Sequence, residues 1–172
     1  MPERPLILTG FMGSGKSSVG RVVAKSLACP FIDLDAEIVA AAGRSINDIF
    51  AQAGEQAFRS METICLEQVL LNGRAVVATG GGVVIAAENR SLMRSRGIVV
   101  NLDVSLSQVL QRLDGVIDRP LFGGRDAANR VKSLMEDRKQ FYADADIRID
   151  TDGKSVEDVA AEILRFVKGL RA

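Results

Sequence analysis

Gly10, Phe11, Met12, Gly13, Ser14, Gly15, Lys16, Ser17 fit the pattern GxxxxGK[ST], a loop that cradles phosphates. The apolar run Leu6, Ile7, Leu8 precedes it and a helical pattern follows, which is the strand, loop, helix setting that the motif requires. Glycines let backbone N–H groups turn inward and approach phosphate oxygens, and the helix presents its positive end to the anion. Gly13, Ser14, Gly15 and Ser18 are therefore expected to line a nucleoside triphosphate. Lys16 is expected at its β- and γ-phosphates, and Ser17 offers a hydroxyl to Mg²⁺.

Working outward, 172 residues are about the length of one domain, and a hydrophobic fraction of 47% is that of a globular chain with a real core. The reading is a single domain over residues 1–172. Lys and Arg together number 22, as do Asp and Glu, so no overall basic field exists to hold nucleic acid or an anionic membrane. No His is present, which leaves Asp, Glu, Lys and Arg to carry any chemistry. Cys29 and Cys65 form no CxxC and have no His to complete a zinc site, so each reads as a reduced core thiol. With neither a signal pattern nor an apolar run of about 18 residues, the protein is expected in the cytoplasm.

Strands alternate with helices along the chain. Strands are expected at 6–9, 31–35, 75–79, 98–102 and 146–150, and the pattern implies a parallel sheet of about five strands sandwiched by helices. The helix after the phosphate loop carries Val19, Val22, Val23 and Leu27 at helical spacing. A short helix over 36–42 closes at Gly43; another begins at Ile46, breaks at Gly54, and continues with Phe58, Met61, Cys65, Leu66 and Val69 as its apolar stripe. Ser105 with Gln108, and Ser155 with Asp158, look like capping pairs. Residues 114–126 carry no hydrophobic period and hold Asp118, Arg119, Pro120 and paired glycines, so they read as an exposed, mobile lid.

A phosphate loop alone says that a nucleotide binds, and three further clusters bear on the acceptor. Asp33 and Asp35 stand two apart at the end of the second expected strand, so in a regular strand both carboxylates share one side. One could hold water on Mg²⁺ and the other could meet an acceptor hydroxyl. Arg59 lies four residues after Glu55 and three before Glu62, the spacing of a helical salt-bridge ladder. A solvated surface ladder is the commoner outcome of such spacing, but Phe58 in the apolar stripe puts Arg59 near the buried edge. Held by two acids there, the guanidinium is set to grip a carboxylate bidentately. The third cluster is Arg112, Arg119, Arg125 and Arg138. An Arg delivered by a lid can stabilise the charge of phosphoryl transfer and exclude water, and Arg119 is the best candidate; Arg125 reads as a solvated loop charge.

These residues, in this order, resemble the shikimate kinase family from end to end. The features that carry the resemblance are the 10–17 loop, Asp33-Leu34-Asp35, Ile49 and Phe50 followed by Gly54, Glu55, Phe58, Arg59 and Glu62, the triple glycine 80–82, Arg119-Pro120-Leu121, and Arg138 with Tyr142. The resemblance implies a three-layer α/β/α fold of the P-loop NTPase, nucleoside monophosphate kinase-like type, with a short lid at about 114–126 and a substrate-binding region at about 33–62. It implies ATP-dependent phosphorylation of the 3-hydroxyl of shikimate, on the way to chorismate and the aromatic amino acids. Asp35 would contact the ring hydroxyls as base or orienting group, Arg59 and Arg138 would bind the carboxylate, and Gly80, Gly81 and Gly82 would offer backbone contacts. Lys16 and Arg119 would hold phosphates, Arg112 would stack on adenine, and Ser17, with Asp33 through water, would serve Mg²⁺. Shikimate and ATP would be the partners of a monomer. The sequence departs from the family pattern at Ser18 for Thr, at Val39 where an acid is frequent, and at Val156 where Pro is frequent.

The rival readings are another P-loop small-molecule kinase, such as a gluconate kinase or a nucleoside monophosphate kinase, and a non-catalytic ATP-binding module. A nucleotide acceptor wants a longer lid and more phosphate-binding arginines than the stretch between Arg112 and Arg138 holds. A silent module typically loses the lysine, the acids or the substrate arginine, and all are present.

Overall fold

β1 (Leu6–Thr9) owes its four buried residues to its place at the centre of the sheet, where both of its neighbours are parallel strands. A computed structural model describes residues 4–113 and 126–170. Around β1 stand β2 (Phe31–Asp33), β3 (Val76–Ala78), β4 (Ile98–Asp103) and β5 (Ile147–Asp150), in the order β2-β3-β1-β4-β5 and all parallel. Leu6 is in register with Val76 and Ile98, so the carboxyl ends of β3, β1 and β4 come out together. The connections are α1 (Lys16–Ser26), α2 (Leu34–Ala42), α3 (Ile46–Leu71), a 3-10 turn (Val83–Ile85), α4 (Ala87–Arg96), α5 (Leu106–Leu113), α6 (Ala127–Tyr142) and α7 (Val156–Gly169).

Strand alternation divides the core in two. Leu6 and Leu8 meet Val19 and Val23 of α1 and Val159, Ile163 and Val167 of α7. Ile7, Val77 and Val99 face the other way, onto Leu34, Ile38, Phe58, Leu66 and Met93. The expected three-layer architecture is thus present. Cys65 is buried and Cys29 half-buried, and neither is in a disulfide.

Local chemistry sets the boundaries. Gly15 caps α1 with φ 90°, a left-handed conformation that an L side chain resists. Gly43 closes α2 at φ 65°, and Gly54, at φ 81° and ψ 172°, kinks α3 where a break is expected. Ser155 and Asp158 close a full capping box on α7.

Two expectations need correction. The second strand stops at Asp33 rather than continuing to 35. Asp33 is an N-cap whose Oδ1 accepts from the Asp35 N–H at 3.2 Å, so helix α2 already begins at Leu34. Asp33 and Asp35 are therefore cap and first turn of one helix, not alternate positions on a strand. Ser105 accepts from the Gln108 N–H at 3.3 Å, but the reciprocal half of that box is not formed. Asp152 takes the Ser105 N–H at 3.0 Å, and Gln108 Nε2 donates to Gln111 instead. In β5, Ile149 is buried but Ile147 only half so. The expected lid, with Arg119 and Arg125, lies outside the described residues except for Asp126, the N-cap of α6.

Candidate active site

In an open parallel sheet, ligands gather at the carboxyl ends of the strands. Here the ends of three adjacent strands lead into the three sequence clusters: β1 into the 10–15 loop, β2 into Asp33 and Asp35, and β3 into Gly80, Gly81 and Gly82.

The β1 end forms a nucleotide side. Lys16 Nζ donates to the carbonyls of Gly10 at 2.8 Å and Phe11 at 3.0 Å, and lies 3.5 Å from Ser14 Oγ, so the ammonium is folded across its own loop. Ser17 Oγ donates to Asp33 Oδ2 at 2.7 Å. A hydroxyl beside a carboxylate is the hard-oxygen donor set that suits Mg²⁺, which fits the expected roles of both residues. Arg112 reaches from α5 to the Gly13 carbonyl at 2.8 Å and, more loosely, to that of Thr151 at 3.4 Å. A hollow of about 340 Å³ lies among Gly13, Gly15, Ser18, Arg112, Thr151 and Val156. A roomier cavity of about 500 Å³ runs along α6 beyond Phe11 and Tyr142, and none of the described residues predicted for the site lines it. The phosphate-loop groups line the smaller hollow.

The acceptor side is built from side chains. Arg59 Nη1 pairs with Glu62 Oε2 at 2.8 Å and Nη2 with Glu55 Oε1 at 3.4 Å, so the ladder read from spacing is made. Only its outer rung is at the surface, since the Glu55 side chain is 65% exposed and that of Glu62 1%. The triple glycine explains how this cluster fits together. A Cβ on Gly82 would stand 2.5 Å from the Arg59 guanidinium, and one on Gly80 would stand 2.8 Å from Asp35 Oδ1 and 3.0 Å from Glu62 Oε1. The backbone at 80–82 is thus pressed against Asp35, Arg59 and Glu62, a close approach that side chains would block.

Burial raises the Glu62 pKa above the ordinary carboxylate value; Arg59 opposes the rise and Asp35 adds to it. Glu62 Oε1 and Arg59 Nε are buried with no hydrogen-bond partner among the described residues. Arg138 approaches from α6, its Nη1 3.4 Å from the Gly81 carbonyl and its guanidinium 5.8 Å from the centroid of the Phe11 ring. The Tyr142 hydroxyl donates to the same carbonyl. Burial pushes the Tyr142 phenol up to about 12, against the opposing charges of Arg138 and Arg59.

Lys16, Ser17 and Asp33 therefore stand on one side, and Asp35, Arg59, Arg138 and the glycines on the other. Two features escape a sequence reading: the inner position of Glu62 and the bond from Tyr142 to Gly81. The first had a signal, since Phe58, Glu62, Cys65, Leu66 and Val69 share the spacing of one buried helix face. The second joins residues 61 apart and had none.

A parallel sheet with a phosphate loop at its central strand, facing acids and arginines on neighbouring elements, defines a P-loop kinase of small molecules. Comparison with known proteins narrows the class. The family model described as shikimate kinase matches residues 12–168. A shikimate kinase of Geobacter metallireducens is 52% identical over 166 residues, covering 96% of this chain and 93% of its own length. One of Persephonella marina is 44% identical over 96% of this chain and 99% of its own. Among solved structures, the shikimate kinase from Acinetobacter baumannii in complex with shikimate superposes with a TM-score of 0.92 at 35% identity, covering 96% of this chain and 93% of that one. The enzyme from Aquifex aeolicus gives 0.82 at 36% identity, over 97% and 98%. The chain belongs to the shikimate kinase family.

Proposed function

We propose that this cleft transfers the γ-phosphoryl group of ATP to the 3-hydroxyl of shikimate, giving shikimate 3-phosphate and ADP in the synthesis of chorismate and the aromatic amino acids. The observation that carries the reading is the meeting, at adjacent strand ends, of a phosphate loop with a guanidinium that a buried acid holds against a glycine backbone. In this assignment Gly13, Ser14, Gly15, Ser18 and Lys16 bind the phosphates. Lys16 exchanges its loop carbonyls for phosphate oxygens, and Arg112, already on the Gly13 carbonyl, lies along the nucleotide base. Arg119 is assigned to the transferring phosphoryl group.

Ser17, with Asp33 through water, holds Mg²⁺, which when bound neutralises charge on the phosphates. Arg59 and Arg138 take the shikimate carboxylate, and Gly80, Gly81 and Gly82 border its ring. Asp35 accepts from the reacting hydroxyl, orienting it and receiving its proton. Positioning and electrostatics do most of the work in phosphoryl transfer, so the missing His costs nothing. Both sides of the cleft come from one chain, which we read as a single kinase domain working as a monomer in the cytoplasm. No helix among the described residues is long and apolar enough to cross a membrane.

Formation of ADP by the purified chain with Mg²⁺ and ATP, measured separately with shikimate, gluconate and AMP as acceptor, tests the reading. Turnover with shikimate alone is expected; turnover with gluconate or AMP but not shikimate would overturn it.

A further inference from the structure

The Gly81 carbonyl faces two donors from the same helix. Arg138 Nη1 stands at 3.4 Å, long for a hydrogen bond, and the Tyr142 hydroxyl, one turn further along α6, completes the pair. Gly81 is also where α6 meets the phosphate loop, since a Cβ on it would lie 3.4 Å from the Met12 nitrogen and 3.6 Å from the Gly10 carbonyl oxygen. We propose that Tyr142 is a positioning residue for the acceptor: its hydroxyl holds the Gly81 peptide in place so that Arg138 can leave that carbonyl for the substrate carboxylate. This rests on the reading that Arg138 and the 80–82 backbone border shikimate.

The argument is one of hydrogen-bond accounting. An arginine that turns toward a carboxylate withdraws from whatever it held before. If it were the sole donor to this half-buried carbonyl, its departure would cost part of the penalty of an unpaired group. Tyr142 is 8% exposed and does not depend on the substrate, so it keeps the carbonyl satisfied in both states. The peptide unit is planar and trans, and the Gly81 carbonyl shares its plane with the Gly82 N–H. Fixing one end fixes the direction of the other, on the side where Gly82 touches Arg59. Burial raises the phenol's pKa, so at neutral pH it is protonated and able to donate. Tyr142 thus acts on shikimate through a backbone group and through the freedom of Arg138, without touching it.

Tyr142→Phe removes the oxygen and keeps the ring. The expected result is a rise of about 5–10-fold in KM for shikimate, the worth of one hydrogen bond, with kcat and KM for ATP within about twofold of the parent. An unchanged KM for shikimate, or an equal rise for both substrates, overturns the proposal. Arg138→Ala, assayed in parallel, separates the two claims: if its KM for shikimate is also unchanged, the placement of the substrate carboxylate fails as well. Should Tyr142→Phe fail to fold, the parent protein still decides. The chain has 1 Tyr, so incorporation of 3-fluorotyrosine yields a single ¹⁹F resonance, at Tyr142. Shikimate is expected to shift it as Arg138 withdraws; a resonance that stays in place overturns the proposal.

Discussion

The two sides of the cleft are built on opposite plans. On the nucleotide side most of the groups are neighbours in sequence, on the loop from Gly10 to Ser18, with Asp33 and Arg112 joining from elsewhere, and the lysine rests on carbonyls of its own loop. On the acceptor side the groups come from α2, α3, the glycine loop and α6, and their charges hold one another. The first plan needs only a short stretch in the right conformation. The second needs the whole fold, and leaves buried polar atoms such as Glu62 Oε1 and Arg59 Nε without a partner among the described residues. A loop of backbone donors accepts any phosphate. A cluster of mutually held side chains can be particular about its acceptor, which is where the specificity of a small-molecule kinase belongs.

The sharpest way to break this comparison is to damage each side and ask which substrate notices. Lys16→Ala removes the loop's charge and is expected to lower kcat by about 10²–10³-fold, with the fold retained because the bonds lost, to the Gly10 and Phe11 carbonyls, lie in the loop and leave both halves of the core intact. Retained turnover would refute the phosphate role. Arg59→Ala is expected to raise KM for shikimate by about 10–100-fold, the worth of a charge-assisted contact, while KM for ATP moves by less than about twofold. Because that variant also strands the buried charge of Glu62, Arg59→Lys is the companion: it keeps a cation beside Glu62 but loses the planar fork, so KM for shikimate should still rise. Equal effects on both substrates would mean that the two sides are not separate.

The same contrast explains what the sequence discloses. The phosphate loop is legible because eight consecutive residues carry it, and the parallel sheet because its strands are apolar runs with glycine and helix between them. The Arg59 ladder is legible as spacing, since helix geometry makes neighbours of residues three and four apart. Its burial shows only in Glu62 sharing the spacing of the apolar face of Phe58, Cys65, Leu66 and Val69, and what the acid meets there depends on how α3 lies against the glycine loop. Asp33 and Asp35 mislead in a regular-strand reading, because an Asp that caps a helix ends the strand it sits on. The triple glycine announces a close approach without saying to what. The answer lies in Asp35, Arg59 and Glu62, all at least 18 residues earlier in the chain.

Glu62 supplies the finest test. Its pKa is raised in the folded protein, so the folded state takes up this proton more readily than the unfolded chain does. The sign follows: the group favours folding at pH values below the ordinary carboxylate pKa, and that contribution is lost as pH rises through the folded value. At neutral pH the buried carboxylate is a cost, kept because the charged form pairs with Arg59. Glu62→Gln has no such proton to bind. Its melting temperature relative to the parent is therefore expected to improve as pH goes from about 4 to 7, by on the order of a few °C. Thermal melts of the two proteins across that range measure the difference directly, and the subtraction cancels the carboxylates that do not feel Glu62, leaving Asp35, which does, in the difference. A difference that is flat with pH, or that falls, would mean that Glu62 is not a desolvated charge, and that the acceptor side is as lightly loaded as the nucleotide side.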